Sequence, residues 1–190
     1  MTKQYAIGHL QTDEIQSLLD LQKENLRTNL DTQTVENQGY VSFVYNPTII
    51  NRMRADEPQI IARSENQVVG YALVATIGAM GTIPAAVPML DMIEQLSFRG
   101  KPCKEQKYYI LGQVCVKAGF RGQGILEGIY EGHREAFAGR YDCAITEIAT
   151  DNGRSLAAHR RIGFETIHTF FDAVNGKEWQ VVAWDFKFKF

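Results

Sequence analysis

Residues whose types and spacing could do chemistry concentrate between positions 108 and 164. An apolar run, Tyr108-Tyr109-Ile110-Leu111-Gly112-Gln113-Val114-Cys115-Val116, leads into Lys117-Ala118-Gly119-Phe120-Arg121-Gly122-Gln123-Gly124-Ile125-Leu126, and apolar residues then recur at 125, 126, 129, 130 and 137. The first run predicts a strand and the recurrence predicts a helix. Gly122 and Gly124 lack Cβ atoms, so the turn between them can bend sharply and bring its N–H groups close to a ligand. The unpaired N–H groups of the helix start add a partial positive charge. Strand, glycine turn and helix therefore offer an anion cradle suited to phosphate or pyrophosphate, although such a turn also serves as a plain tight connection. Neither Gly-x-x-x-x-Gly-Lys-Ser/Thr nor Gly-x-Gly-x-x-Gly with an acidic residue about twenty positions on is present. Cys103, Cys115 and Cys143 have no Cys-x-x-Cys spacing and no histidine pair, which points to buried reduced thiols and to no metal site.

A second stretch lies downstream: Asn152-Gly153-Arg154-Ser155-Leu156-Ala157-Ala158-His159-Arg160-Arg161-Ile162-Gly163-Phe164. Together the two stretches resemble the GCN5-related N-acetyltransferase (GNAT) family. The family's Arg/Gln-x-x-Gly-x-Gly/Ala turn corresponds to Arg121, Gly124 and Leu126, and its preceding Val-x-Pro-x-aromatic to Val116, Ala118 and Phe120. The later Asn-x-x-Ala/Ser with a terminal Gly-Phe corresponds to Asn152, Ser155, Gly163 and Phe164. Leu126 stands where a small residue is usual, Ala118 where proline is common, and His159 where many members carry a tyrosine.

The resemblance implies a mixed, mostly antiparallel sheet with flanking helices, in which parallel strands at 108–116 and 142–149 splay apart to admit acetyl-coenzyme A. It implies that the pantetheine arm pairs with backbone near Val114, Cys115 and Val116, and that the pyrophosphate sits on the amides of Arg121, Gly122, Gln123, Gly124, Ile125 and Leu126. Asn152 and Ser155 would hold the pantetheine end, a role compatible with Asn152 as a helix cap. The implied reaction is direct transfer of an acetyl group to an amine, with no covalent enzyme intermediate. Glu147, five residues before Asn152, occupies the place of a base seen in several members, and also reads as an ordinary strand glutamate. His159 would face the sheet and, partly protonated near neutral pH, serve as proton donor; the plainer alternative is a buried packing histidine. A non-catalytic acyl-CoA-binding or regulatory module on the same fold is the rival reading. The acceptor is open among polyamine, aminoglycoside, amino acid and protein amine.

These residues need a scaffold, and 190 residues at 45 % hydrophobic suffice for one sizeable core, giving a single α/β (α+β) domain over 1–190. A formal net charge of −2 provides no basic field for nucleic acid or an anionic membrane. The stretch 1–10 has no signal-peptide pattern, so a cytoplasmic location is expected, and a homodimer is compatible with the sequence. Positions 1–10 read as a first strand, Thr12-Asp13-Glu14 as the cap of a helix carrying Ile15, Leu18, Leu19, Leu21 and Leu26, and 28–39 as a polar link. Asn46-Pro47 marks the next helix start, with Tyr40, Phe43 and Tyr45 ahead of it either flanking an acceptor pocket or covering the sheet. A hairpin follows over 59–63 and 68–75, the buried strand ending near Ala79. The uncharged stretch 68–90 is broken by Gly and Pro and is not read as a membrane span. A short helix at 89–96 sits in a segment, 78–106, that is a candidate lid or a surface excursion. A helix over 125–138, a strand over 141–149 and strands over 165–172 and 179–188 around an Asn175-Gly176 turn complete the chain. The tail Phe186-Lys187-Phe188-Lys189-Phe190 reads as an edge strand guarded by lysines.

Overall fold

The computed structural model describes residues 4–174 and 176–187. In chain order the elements are β1 (Ala6–His9), α1 (Ile15–Glu24), α2 (Thr32–Gln38), α3 (Pro47–Asp56), β2 (Ile60–Ser64) and β3 (Gln67–Ala75). Next come α4 (Ile77–Met80), α5 (Val87–Glu94), β4 (Ser97–Phe98), β5 (Lys101–Pro102) and β6 (Tyr108–Val116). The chain closes with α6 (Ile125–Phe137), β7 (Cys143–Ala149), α7 (Gly153–Ile162), β8 (Glu165–Asp172) and β9 (Lys177–Trp184).

Seven strands form one sheet in the order β1-β2-β3-β6-β7-β9-β8. Every pairing is antiparallel except β6 with β7, which is parallel and joins only Tyr108–Ile110 to Cys143–Ile145. Alternation along the strands divides the core between the two faces. Tyr71, Leu73, Tyr108 and Ile110 pack on one face under α1, α3 and α5, while Ala72, Val74, Tyr109 and Leu111 pack on the other with Ile129, Tyr130 and Phe137 of α6.

Local signals explain most boundaries. Asn46 accepts from the Ile49 amide at 3.0 Å with Pro47 in the first helical turn, so α3 starts where the Asn-Pro pair predicts. A 3₁₀ turn at Thr12–Glu14 precedes α1, and Gln11 rather than a threonine holds the capping box with Glu14. The supposed polar link contains α2, whose cap Asp31 accepts from Thr34 N–H at 2.9 Å and Thr34 O–H at 2.7 Å. β3 ends at Ala75, earlier than Ala79, because Thr76 caps α4 by accepting from Ala79 N–H at 3.0 Å. The helix expected at 89–96 is α5, two residues earlier.

The tail departs from expectation. β9 lies between β7 and β8, so it is an interior strand, and β8 forms the edge. Phe186 takes a left-handed φ of 59° and turns its ring into the core beside Trp184, 4.7 Å between centroids. The burial of an aromatic ring outweighs that backbone cost. Residues 188–190 and Asn175 of the expected turn lie outside the described residues. No helix among the described residues is long and apolar enough to cross a membrane, and the 68–90 stretch divides among β3, α4 and α5.

Two buried imidazoles contribute to the acid response. His133 has no exposed surface and bonds Tyr109 Oη at 2.9 Å and Ala72 O at 3.1 Å, and burial pulls its pKa from 6.5 to about 3. Burial likewise lowers His159 from 6.5 to about 4. The unfolded chain therefore binds more protons than the folded one between those values, so these groups lend stability above pH 6.5 that is lost as pH falls. Glu147, raised to about 7, acts in the opposite sense over its own window, contributing below pH 4.5 and losing its contribution as pH rises through 7. Replacing His133 by glutamine is expected to remove about 1.4 kcal/mol per pH unit from the acid slope of stability. Urea titrations at several pH values between 6 and 4 check this; an unchanged slope would contradict it.

Candidate active site

The cradle forms as the spacing predicts. Gly122 and Gly124 sit at φ 74° and 79°, in the left-handed region that only glycine occupies without strain. The first helical bond of α6 runs from Gly128 N–H to Gly124 O at 3.0 Å, so the amides of Ile125, Leu126 and Glu127 have no partner inside the helix. Tyr5 Oη donates to Gln123 O at 3.3 Å and Gln123 Nε2 to Gly119 O at 3.0 Å, which pins the turn from its outer side. Leu126 is half-buried and lines the groove in front of the cradle.

Arg121 does something other than wait for a phosphate. Its Nε donates to Val116 O at 2.9 Å, and its two terminal nitrogens donate to Gln38 Oε1 at 2.9 Å and Asn25 Oδ1 at 2.7 Å. It thus ties the end of β6 to α1 and α2. Beyond Ile110, β6 and β7 separate, bridged by Thr146 Oγ1 donating to Leu111 O at 2.8 Å. Val114, Cys115 and Val116 keep their pairing with Ala72, Tyr71 and Gly70 of β3 but have no strand partner on the β7 side. The Cys115 thiol is buried and pushed up to about 12, as is Cys143, so neither serves as a nucleophile at neutral pH.

Two cavities meet at this opening. A groove of about 610 Å³ runs along the cradle, α7 and the end of β6. A second cavity of about 240 Å³ lies between β6, β7 and the segments around 40–45 and 80–89. Tyr40, Val41, Val114, Asn152, Ser155 and His159 line both. Asn152 is fully committed: Oδ1 accepts from Ser155 N–H at 3.4 Å, capping α7, and Nδ2 donates to Tyr40 O at 3.1 Å. It acts as a cap and as an anchor for the 39–41 strap. Asp151 reinforces that strap by accepting from Tyr40 Oη and Lys177 Nζ.

Glu147 lines the smaller cavity. Its Oε1 is buried with no hydrogen-bond partner, and burial, helped by the Asp172 carboxylate, raises its pKa to about 7. His159 is 4 % exposed and faces the sheet as expected, but its charge state is not the expected one. Nδ1–H donates to Ser155 O at 2.8 Å, Nε2 is buried without a partner, and the rings of Tyr130 and Phe164 stand edge-on at 5.8 and 5.0 Å. Removing water from the ring outweighs the carbonyl contact, so the imidazole is neutral and Nε2 can only accept.

One lining residue carried no functional signal in sequence. Trp179 of β9 places a buried, unpartnered Nε1 in the smaller cavity. Tyr45 packs against Gly112 so closely that a Cβ there would lie 2.6 Å from its hydroxyl. Tyr40, Phe43 and Tyr45 do flank a pocket, and the first half of the 78–106 segment supplies Met80, Ile83, Ala86 and Met89 to its wall. The second half is the β4–β5 hairpin, where Arg99 pairs with Glu165 and, at 3.4 Å, Asp185.

No protein-family profile and no curated protein matches the sequence. Solved structures do match across nearly the full length. The ribosomal-protein-S18-alanine N-acetyltransferase of Escherichia coli aligns with a TM-score of 0.62 at 10 % identity, covering 98 % of this chain and 96 % of that one. A putative acetyltransferase of Salmonella typhimurium, solved with its cofactor acetyl-CoA, aligns at 0.59 and 12 % identity over 98 % and 96 % of the two chains. The chain has the GNAT fold. A chain of the NatC complex bound to Gag peptide and CoA aligns at 0.63 and 13 % identity over 96 % and 98 %. At such identities the likeness is one of fold, and the splayed β6–β7 pair with flanking helices is its centre.

Proposed function

We propose that this GNAT-fold chain is an acetyl-CoA-dependent N-acetyltransferase that moves the acetyl group directly to an amine within a ternary complex. The observation that carries the reading is Glu147: a half-buried carboxylate whose Oε1 is buried without a hydrogen-bond partner and whose pKa is raised to about 7, on the wall of a cavity that opens into the cradle groove. A carboxylate poised near neutral pH on a cavity wall is what a general base needs.

The residues of the groove fit coenzyme A. The α6 amides and the left-handed Gly122 and Gly124 suit a pyrophosphate, and the open edge of β6 at Val114 and Val116 suits an extended amide-bearing arm. When bound, acetyl-CoA supplies the acetyl thioester. Ionised Glu147 accepts a proton from the acceptor amine, directly or through one water, so that the nitrogen lone pair becomes free to attack. In this reading the neutral His159 offers Nε2 only as an acceptor at the junction of the two cavities and is not the proton donor. Arg121 and Asn152 shape the groove by holding α1, α2 and the strap in place.

Thiol release from acetyl-CoA in the presence of primary amines, set beside calorimetric titration with coenzyme A, tests this reading. Saturable binding with amine-dependent release is expected. Binding without release for every amine would leave the non-catalytic module. His159→Phe is expected to leave the rate profile above pH about 6 unshifted, because the neutral ring does not titrate there. A displaced alkaline limb in that variant would show that His159 carries a working proton.

A further inference from the structure

The shape and polarity of the smaller cavity narrow the acceptor, given the transferase reading above. We propose that the acceptor is a monoamine on an apolar, ring-sized body, of the arylalkylamine or branched alkylamine class, with no second charge.

Charge is the first argument. Among the described residues Glu147 is the one acidic side chain that lines the cavity, with the Asp172 carboxylate behind it close enough to raise its pKa, and no lysine or arginine lines it. One carboxylate matches one amine. A polyamine or an aminoglycoside would bring further ammonium groups against a wall that carries no second carboxylate, and an amino acid would bring a carboxylate with no cation on the wall to meet it. The other polar groups, Ser42, Gln113, Thr146, Asn152 and Ser155 among them, add no charge. His159 is neutral, and the Tyr40 and Tyr45 phenols are held protonated by burial, with Asp151 adding to the rise at Tyr40. Trp179 offers only an N–H donor, which repels a second cation.

The wall supplies the second argument. Met80, Ile83, Ala86 and Met89 line the cavity together with Phe43 and Tyr45, so aliphatic, thioether and aromatic groups make up much of its wall. Methionine side chains adapt to an apolar guest of varied outline. At about 240 Å³ the cavity exceeds the ~150 Å³ of an engineered apolar cavity that accepts benzene, so one ring with a short tether fits. Phe43, 37 % exposed, carries the apolar surface outward. A peptide would bring several backbone N–H and C=O groups against these apolar side chains, which offer them no partners.

Register supplies the third. Ala149 lies opposite Trp179 and Glu147 opposite Val181 across the β7–β9 ladder, so Glu147 and Trp179 are diagonal neighbours on one face. An unpartnered buried acceptor and an unpartnered buried donor side by side mark a place completed by a ligand.

The test is kcat/KM for thiol release from acetyl-CoA with phenethylamine, spermidine, kanamycin, lysine and a short unblocked peptide. Phenethylamine is expected to exceed each of the others by at least about tenfold. Met89→Asp, which adds a charge to the wall away from the cradle, is expected to cost phenethylamine about tenfold or more and to narrow its lead over spermidine, with coenzyme A affinity retained. Preference for spermidine, kanamycin, lysine or the peptide would overturn this inference and leave the transferase reading standing. Saturable coenzyme A binding with no release for any amine would overturn both. The comparison among substrates needs only the unaltered protein, so it decides the matter even where the variant does not fold.

Discussion

Replacing Glu147 by glutamine is expected to lower turnover by roughly 100-fold while leaving coenzyme A affinity nearly unchanged. The amide keeps the volume and polarity of the side chain and loses only its basicity. Because burial and Asp172 hold the carboxyl at about 7, the parent's kcat/KM is expected to rise with pH through that value as the carboxylate forms. The glutamine variant is expected to lack that rising limb. Steady-state rates from pH 5.5 to 9 provide the measurement, and a variant with parental turnover across the range would return Glu147 to a structural role.

The second large effect is expected at Gly124. Its φ of 79° is left-handed, and an added Cβ meets nothing in the protein closer than Tyr5 Oη at 3.5 Å. The obstacle to a side chain is therefore backbone strain together with whatever approaches the amides from the groove. A β-branched residue at that φ is held at a cost of about 1–3 kcal/mol and relaxes by moving the amides that follow. Gly124→Val is thus expected to weaken coenzyme A binding by an order of magnitude or more. Calorimetric titration checks it, with circular dichroism confirming that the variant is folded; undiminished binding in a folded variant would remove the cradle from the account.

How much of this was legible in the sequence follows from the range of the forces involved. The cradle was, because a glycine that must adopt positive φ and the helix start beside it are properties of a dozen consecutive residues. So was the Asn152 cap, which uses the amide three positions on. α2 was not: Thr32-Gln33-Thr34-Val35 shows no apolar period, and the helix is held by its Asp31 cap and by lying beside α7. The tail read as an edge strand lies largely outside the described residues; in its described part Phe186 has left β9 and packs its ring beside Trp184, a tertiary contact that the alternation of residues does not show. The ionisation of His159 failed for a related reason. Its spacing on α7 told which way the ring faces, but its pKa depends on the exclusion of water by Tyr130 and Phe164 and by the sheet beneath. The roles of Arg121 and Asn152 were half legible. Motif position put them at the groove, yet their bonds to Asn25, Gln38 and Tyr40 come from segments about a hundred residues away.

The partition between cradle groove and acceptor cavity gives the transfer reading its most direct test. Acetyl-CoA labelled in its acetyl group is incubated with the protein, first alone and then with a primary amine, and both protein and amine are analysed by intact mass. The account predicts labelled N-acetylated amine, formed only when protein, acetyl-CoA and amine are together, and no acetylated protein on the way. Acetyl-protein that accumulates without amine and then passes its label on, or an amine left unlabelled by a protein that binds coenzyme A saturably, would contradict it.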